Sequence, residues 1–381
     1  VTIANFGGGG SPSVNGFMVT FGGALATTDV PVLLSLTNMS AGSSGFFGET
    51  DKGGPVDNKG GIITPTGNTW PSVTAPVEYT IPLRTPFSLT GEATDAEGDT
   101  LLYSWEQNDR GGSAGTSLLN NTKIDGPLIA MFPKSAQFSD PLIYNSPDAN
   151  ALTTNPTRVF PDLQQILDNN TNADTGVCPT GPIAPLAPIN ITECYSEFLP
   201  TIDYLGFTGI NASPLSLHFR FTVRDGLGGT NNAGVDTTLL LATNAGPFLV
   251  TSPNTAVVYA SGSTQTVTWD KANTDIAPVS ADNVNILLST DGGYTYPYVL
   301  AASTLNDGSE LVTLPNIDTT EARVKIEGDG NIFFDISNSD FTIQGVELQV
   351  TKSDGDMTAE PGDTVAYTLT YTNTAGGGAT G

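Results

Sequence analysis

The feature that most constrains this chain is an alternation with a period of two. In L-H-F-R-F-T-V-R-D-G, Phe219, Phe221 and Val223 point one way and His218, Arg220 and Thr222 the other, until Asp225 and Gly226 turn the chain. The same beat places Val284, Ile286 and Leu288 on one face, Val324 and Ile326 on another, and sets Phe17, Val19 and Phe21 against Met18 and Thr20. A helix cannot use this pattern, because a period of two scatters its apolar groups around the axis. Composition agrees: 43 Gly, 26 Pro and a surplus of Thr, Ser, Val and Asn suit many short strands joined by tight turns. The expected class is all-β, a tandem of β-sandwich modules.

At 381 residues the chain has room for two to four such modules. Residues 1–39 (V-T-I-A-N-F, then F-M-V-T-F-G-G-A-L) read as part of a β-repeat, and 40–69 as a Gly/Ser-rich linker. Residues 70–246 read as a sandwich interrupted by a long insertion, 107–214. The insertion holds the only convincing short helix, P-D-L-Q-Q-I-L, with Pro161 at an N1-like position. Such an insert is expected to decorate a sandwich edge. Residues 247–344 carry turn signals at the spacing of a seven-strand sandwich, with Val267 and Trp269 pinning the core. Residues 345–381 read as the opening strands of a further sandwich, with Tyr367, Leu369 and Tyr371 sharing a face. The modules are expected to follow one another as beads with short junctions.

Thirteen Lys and Arg stand against 39 Asp and Glu, a formal net charge of −26. That field repels nucleic acid and anionic membrane and attracts divalent cations. No apolar run approaches the ~20 residues of a membrane span, so no membrane insertion is expected in this segment; any export signal or anchor is expected outside it.

Residues 70–343 carry P-F-S-L-T-G-E-A-T-D-A-E-G-D, Y-S-W-E-Q, R-V-F-P-D-L, F-R-F-T-V-R-D, G-P-F-L-V-T-S-P-N-T, V-N-I-L-L-S-T-D-G-G and F-F-D-I-S-N-S-D-F-T-I in this order. The series resembles the non-catalytic C-terminal modules of bacterial secreted reprolysin-like metalloproteases. The two ends resemble β-repeats of bacterial surface proteins. These resemblances imply tandem Ig-like and cadherin-like β-sandwich modules, with partial sandwiches at both ends, in a bacterial extracellular or cell-surface protein. They do not import proteolysis: the zinc-binding H-E-x-x-H helix belongs to an upstream domain in that family, and His218 is the sole histidine here.

In D-A-E-G-D, the carboxylates of Asp95, Glu97 and Asp99 alternate around Gly98, and Asp225 could complete an oxygen shell for Ca²⁺. The same string also makes a good turn, with Gly98 at positive φ. His218 is expected to face solvent; catalysis there would need a nucleophile and an orienting carboxylate brought beside it. S-T-D-G-G-Y-T-Y, Ser289–Tyr296, resembles the Asp-box hairpin of sialidase propellers, a folding device in which the Asp bonds its own turn. Asp335 and Asp340 are read as turn residues. Tyr294, Tyr296 and Tyr298 alternate and could offer a platform for sugar. No pair of the many acids stands in a setting that marks a glycosidase. Cys178 and Cys194 are expected to form a disulfide, worth about 3 kcal/mol at this spacing through chain entropy. Asn-x-Ser/Thr triplets at Asn38, Asn120, Asn169, Asn190 and Asn211 are weak glycosylation signals.

The expectation for function is a non-enzymatic structural subunit of an extracellular fibre or adhesive assembly. Its expected partners are further copies, joined head-to-tail by strand complementation, or neighbouring modules of the same protein. The alternative is an accessory, substrate- or surface-binding region of a secreted metalloprotease.

Overall fold

A computed structural model of the chain describes residues 2–5, 17–20, 67–109, 121–129, 153–180, 189–206, 215–345, 348–355 and 358–373. Among them are twenty-two strands and two short helices, so the protein is all-β. The chain divides into two units, Val1–Gly67 and Asn68–Gly381. In the first, β1 (Thr2–Asn5) and β2 (Phe17–Thr20) form an antiparallel hairpin with Ile3 opposite Val19.

The second unit opens with a sandwich. One sheet runs β4 (Glu78–Pro82), β11 (Thr237–Ala242), β9 (Ser216–Arg224) and β10 (Thr230–Asn232), with β7 (Leu102–Gln107) on the other flank of β9. Only the β4–β11 pair is parallel in this sheet. Across the core lie the pairs β3 (Ser72–Thr74) with β6 (Glu92–Thr94) and β5 (Phe87–Thr90) with β8 (Thr157–Phe160). The alternation of β9 does what its sequence demands: Phe219, Phe221 and Val223 are fully buried. Phe87 stacks on Phe160 at 5.0 Å, and Phe219 meets both edge-on. A Cβ on Gly91 would lie 2.3 Å from the Phe221 ring, so this position admits no side chain.

The second sandwich sets a three-stranded sheet, β12 (Leu249–Ser252), β14 (Thr264–Asp270) and β17 (Ser309–Thr313), against a larger one. The larger sheet orders β13 (Val258–Ala260), β20 (Phe341–Gln344), β18 (Thr319–Gly328), β15 (Asn283–Ser289) and β16 (Tyr298–Leu305), with β19 (Phe334–Ile336) also on β18. Val267, Trp269, Val284, Ile286, Leu288, Val324 and Ile326 all enter its core. The Trp269 indole N–H donates to Asn306 Oδ1 at 2.8 Å, satisfying a buried polar atom at the core's edge. Further on, β21 (Leu348–Ser353) and β22 (Thr368–Asn373) pair as an antiparallel hairpin.

Among the described residues between β7 and β9 there are two helices where one was expected. In α1 (Leu163–Leu167), Asp162 is the N-cap and accepts from Gln164 N. Pro161 therefore precedes the cap instead of occupying the first helical turn. The second helix, α2 (Ile189–Ser196), has no strong apolar stripe to announce it. It carries Cys194, which is bonded to Cys178. Ile191, Tyr195 and Phe198 pack around that disulfide. A buried ion pair, Arg158 Nη2 to Glu197 Oε1 at 2.7 Å, ties the helical region to the first sandwich. Burial pushes the Glu197 carboxyl up, and the Arg158 charge and the Asp162 N–H pull it back.

The two sandwiches are not beads on short junctions. Phe334 N donates to Pro86 O at 2.9 Å, Ser88 N to Ile332 O at 3.1 Å, and Phe248 N to Thr85 Oγ1 at 3.0 Å. Gly246, at φ +99°, passes so close to the first sandwich that a Cβ would sit 2.1 Å from Leu83 O. The helical region, expected to decorate an edge, works as a bracket. Ile166 and Leu167 of α1 pack on Phe334 and Ile336, Arg323 Nη1 donates to Leu167 O at 3.0 Å, and Asn169 Nδ2 to Asn338 O at 2.9 Å. Backbone hydrogen bonds and apolar burial together join the two sandwiches.

Candidate functional site

Strand β6 ends at Thr94 and delivers the acidic turn Asp95–Asp99. Asp95 Oδ1 accepts from Glu97 N at 3.0 Å and Asp99 N at 3.1 Å, and Gly98 takes φ +81°, so the string does close a turn. One ligand atom from each of Asp95, Glu97 and Asp99 lies within 4.8 Å of the others. Asp95 Oδ2 and Asp99 Oδ2 are buried and accept no hydrogen bond. The Asp99 carboxyl is pushed up by burial first, then by the charges of Asp95, Asp225 and Glu97. Glu97 is partly engaged, accepting from Thr69 N at 3.2 Å and Thr69 Oγ1 at 2.9 Å.

Asp225 stands beside this group and is used differently. Its Oδ1 accepts from Leu227 N and Gly229 N, both at 2.8 Å, and its Oδ2 from Asn68 Nδ2 at 2.7 Å. Led by the Asn68 bond, these donors hold its carboxyl low. Its charge bears on Asp99, while its oxygens organise the 225–229 turn. Three clustered carboxylates, two of them with a buried, unsatisfied oxygen, fit a hard cation such as Ca²⁺, which takes six to eight oxygen ligands. Asp95, Glu97 and Asp99 would supply the protein's share.

His218 lies on the polar face of β9 opposite Phe219, and Asp109 stands beside it. His218 Nδ1 is 2.7 Å from Asp109 Oδ1, and the other carboxylate oxygen accepts from His218 N and Gln107 Nε2. An orienting carboxylate is thus present. Among the described residues no hydroxyl or thiol is hydrogen-bonded to the imidazole, so the pair is part of a relay without a nucleophile. Sequence reasoning missed Asp109 because it lies over a hundred positions from His218. It also missed Lys123, which is buried, donates to Tyr195 O, and is held down to about 8 by desolvation.

The Asp-box turn is self-contained. Asp291 Oδ1 accepts from Ser289 Oγ at 2.7 Å, Tyr294 N at 3.1 Å and Thr295 N at 2.9 Å, and Oδ2 from Thr295 Oγ1 at 2.6 Å. Burial raises the Asp291 carboxyl, but the Thr295 and Ser289 bonds outweigh it and bring it to about 2. Tyr294 reaches Gln164 Oε1 of α1 at 2.6 Å, so the turn also serves the junction. Tyr296 packs inward on the α1 cluster and Tyr298 on the second core, leaving no three-tyrosine platform.

Asp335 is no turn residue. It lies inside β19, 6% exposed, accepting from Val250 N at 2.6 Å, and burial pushes its carboxyl up to about 8. Asp340 pairs with Arg323 at 2.6 Å. Asn169 and Asn190 are exposed, the Asn169 amide being spent on Asn338 O; Asn38, Asn120 and Asn211 lie outside the described residues.

Fold and site together define a tandem β-sandwich protein with a carboxylate-lined turn. No family model matches the chain, and no curated protein does. Solved structures give low scores. The N-terminal Ig1–2 module of the Drosophila receptor protein tyrosine phosphatase DLAR aligns with TM-score 0.29 and 10% identity, covering 72% of this chain and 98% of that one. The four N-terminal Ig domains of Dscam1 isoform 4.44 give TM-score 0.21 and 11% identity, over 80% of this chain and 61% of that one. Fibronectin(III)-like modules of Clostridium thermocellum CbhA give TM-score 0.19 and 9% identity, over 72% and 93%. At these scores the likenesses carry no argument about function.

Proposed function

We propose that this chain is a non-catalytic structural or adhesive subunit of an extracellular assembly, joined to a further copy through its C-terminal hairpin. The observation that carries the reading is the surface of β21–β22. Val350, Tyr367, Leu369 and Tyr371 are between 52% and 67% exposed. A two-stranded sheet is marginal by itself, and an exposed apolar row on it seeks another sheet. Its counterpart in this reading is the hairpin β1–β2 of a neighbouring copy, also antiparallel and two-stranded, and a head-to-tail contact of this kind repeats without closing. The bracketed junction of the two sandwiches suits a load-bearing strut. The disulfide favours an oxidising compartment. Calcium at Asp95, Glu97 and Asp99 would pin the acidic turn and the Thr69 segment that Glu97 holds.

The test is the solution mass of the full chain against concentration, with electron microscopy of the concentrated sample. Growing oligomers or fibres are expected, and Tyr371→Lys, on an exposed site, should reduce them. Monodisperse monomers throughout, with no fibres, would overturn the reading.

A further inference from the structure

The helix α2 has little packing of its own. Among the described residues its apolar cluster is Cys178, Ile191, Cys194, Tyr195 and Phe198, and two of these are the halves of the disulfide. A helix of eight residues is marginal in water without tertiary support. The covalent bond supplies what burial does not: cross-linking positions 16 apart favours the ordered state by on the order of a hundredfold through chain entropy.

The chain leaving α2 runs into the contacts that hold α1. Glu197 Oε1 accepts from Arg158 Nη2 at 2.7 Å and Oε2 from Asp162 N at 2.5 Å, and Asp162 is the N-cap of α1. Arg158 is rooted in the first sandwich, donating from Nη1 to Trp105 O at 2.6 Å. Beyond the other end of α1, Asn172 Oδ1 accepts from Leu199 N at 2.8 Å and its Nδ2 donates to Leu199 O at 2.9 Å. Residues 197–199, just past Cys194, thus clasp α1 at both ends. The α1 helix in turn holds the second sandwich through Ile166, Leu167 and Arg323. The direct hydrogen bonds between the sandwiches, such as Phe334 N to Pro86 O, do not pass through it.

We propose that the Cys178–Cys194 bond is a redox latch on this bracket. Closed, it orders α2, sets Glu197 against Asp162 and keeps α1 on β19. Open, it releases α1 and uncovers Phe334 and Ile336 while both sandwiches stay folded. A cleft of about 320 Å³ gives access, because Cys178 lines it together with Ile166 and Ile336. Opening takes a small dithiol. One thiolate attacks the Cys178 sulfur and displaces Cys194 as a thiolate that takes up a proton; the second thiol then displaces Cys178 in the same way. The protein disulfide gains two electrons and two protons, and the dithiol leaves as a cyclic disulfide. Closure is the reverse, with a small disulfide as the oxidant.

The experiment is hydrogen exchange of the full chain, read by mass spectrometry. It compares the disulfide form, the same protein after dithiothreitol under native conditions, and the double variant Cys178→Ser, Cys194→Ser. Residues 162–169 lie outside the disulfide loop, so their protection reports the latch and not the loop. On reduction it should fall at least about tenfold, along with that of 189–199, and return on reoxidation. The core strands β9 and β15 should keep theirs, and the double variant should match the reduced chain. If the double variant yields no folded protein, the reduced native chain decides. Unchanged protection at 162–169, loss of protection in β9 and β15 as well, or a disulfide that excess dithiothreitol leaves intact in the folded chain would overturn the proposal.

Discussion

Two acidic turns in this molecule look alike in sequence and end in opposite states. In S-T-D-G-G-Y-T-Y, hydroxyl and amide donors from Ser289, Tyr294 and Thr295 converge on Asp291 and hold its carboxyl at about 2. In D-A-E-G-D the two turn amides spend themselves on one oxygen of Asp95. Asp95 Oδ2 and Asp99 Oδ2 are left buried without donors, and burial with like charge pushes the Asp99 carboxyl up. Both turns depend on glycine at positive φ, Gly292 and Gly98. What separates them is the supply of donors. A carboxylate ringed by N–H and O–H groups is finished; one ringed by other carboxylates keeps oxygens to which a cation could bind.

The comparison breaks first at Asp291. Asp291→Ala removes four acceptor contacts at once and leaves their donors facing a void. A loss of about 3 kcal/mol in unfolding free energy is expected by chemical denaturation. The wild-type turn should also report its charge in the pH dependence of stability. Because the folded carboxyl lies below its unfolded value, its contribution is present above about pH 4 and is lost as the pH falls towards 2. Asp291→Ala should flatten that limb of the curve.

The other turn is tested by the ion. Calcium at a hundred times its dissociation constant should stabilise the protein by about 2.7 kcal/mol, read as a rise in melting temperature that a chelator reverses. The Asp291 turn should be indifferent: the same addition to Asp291→Ala should give the same increment, because each site acts alone. An unchanged melting curve with calcium and with chelator would retire the cation at Asp95, Glu97 and Asp99.

A smaller effect separates hydroxyl from backbone donors. Thr295→Val deletes the 2.6 Å bond to Asp291 Oδ2 and keeps the amide bonds to Oδ1. It should cost about 1.5 kcal/mol, the range for a hydrogen bond to a charged group, and should move the Asp291 titration upwards in carboxyl-resolved NMR.

Local pattern made much of this legible in the sequence. Phe219, Ile286 and Val324 reach their cores because alternation fixes which face they occupy, and Ser289, Asp291 and Thr295 meet because they lie within seven residues. Asp95, Glu97 and Asp99 cluster for the same reason. What pattern could not supply is contact across long stretches of chain. Asp109 finds His218, Arg158 finds Glu197, and α1 brackets the second sandwich through Arg323 and Tyr294, none of which any periodicity encodes. Asp335 reads as a turn residue from its place near the last strand, and only the packing of Phe334 and Ile336 on α1 shows why the chain keeps it buried inside β19. The helix α2 was missed because its stability comes from the disulfide and from Phe198, not from an apolar stripe.

The sharpest use of the comparison is also its smallest effect. Asp99→Asn removes one of the repelling charges from the open turn and keeps a side chain of the same shape. Without calcium, near neutral pH, it should raise the melting temperature slightly. The sign follows from linkage: a carboxyl whose folded value is raised contributes stability below its unfolded value near 4 and loses it as the pH climbs through the folded one, so at neutral pH the native Asp99 is a net burden. With calcium the order should invert, because the variant has lost a charged ligand and gains less from the ion. A variant that is more stable under both conditions would mean that the turn's crowding is relieved by nothing in solution. One that is less stable under both would mean that Asp99 is held by donors of its own, as Asp291 is, and the distinction between the two turns would fail.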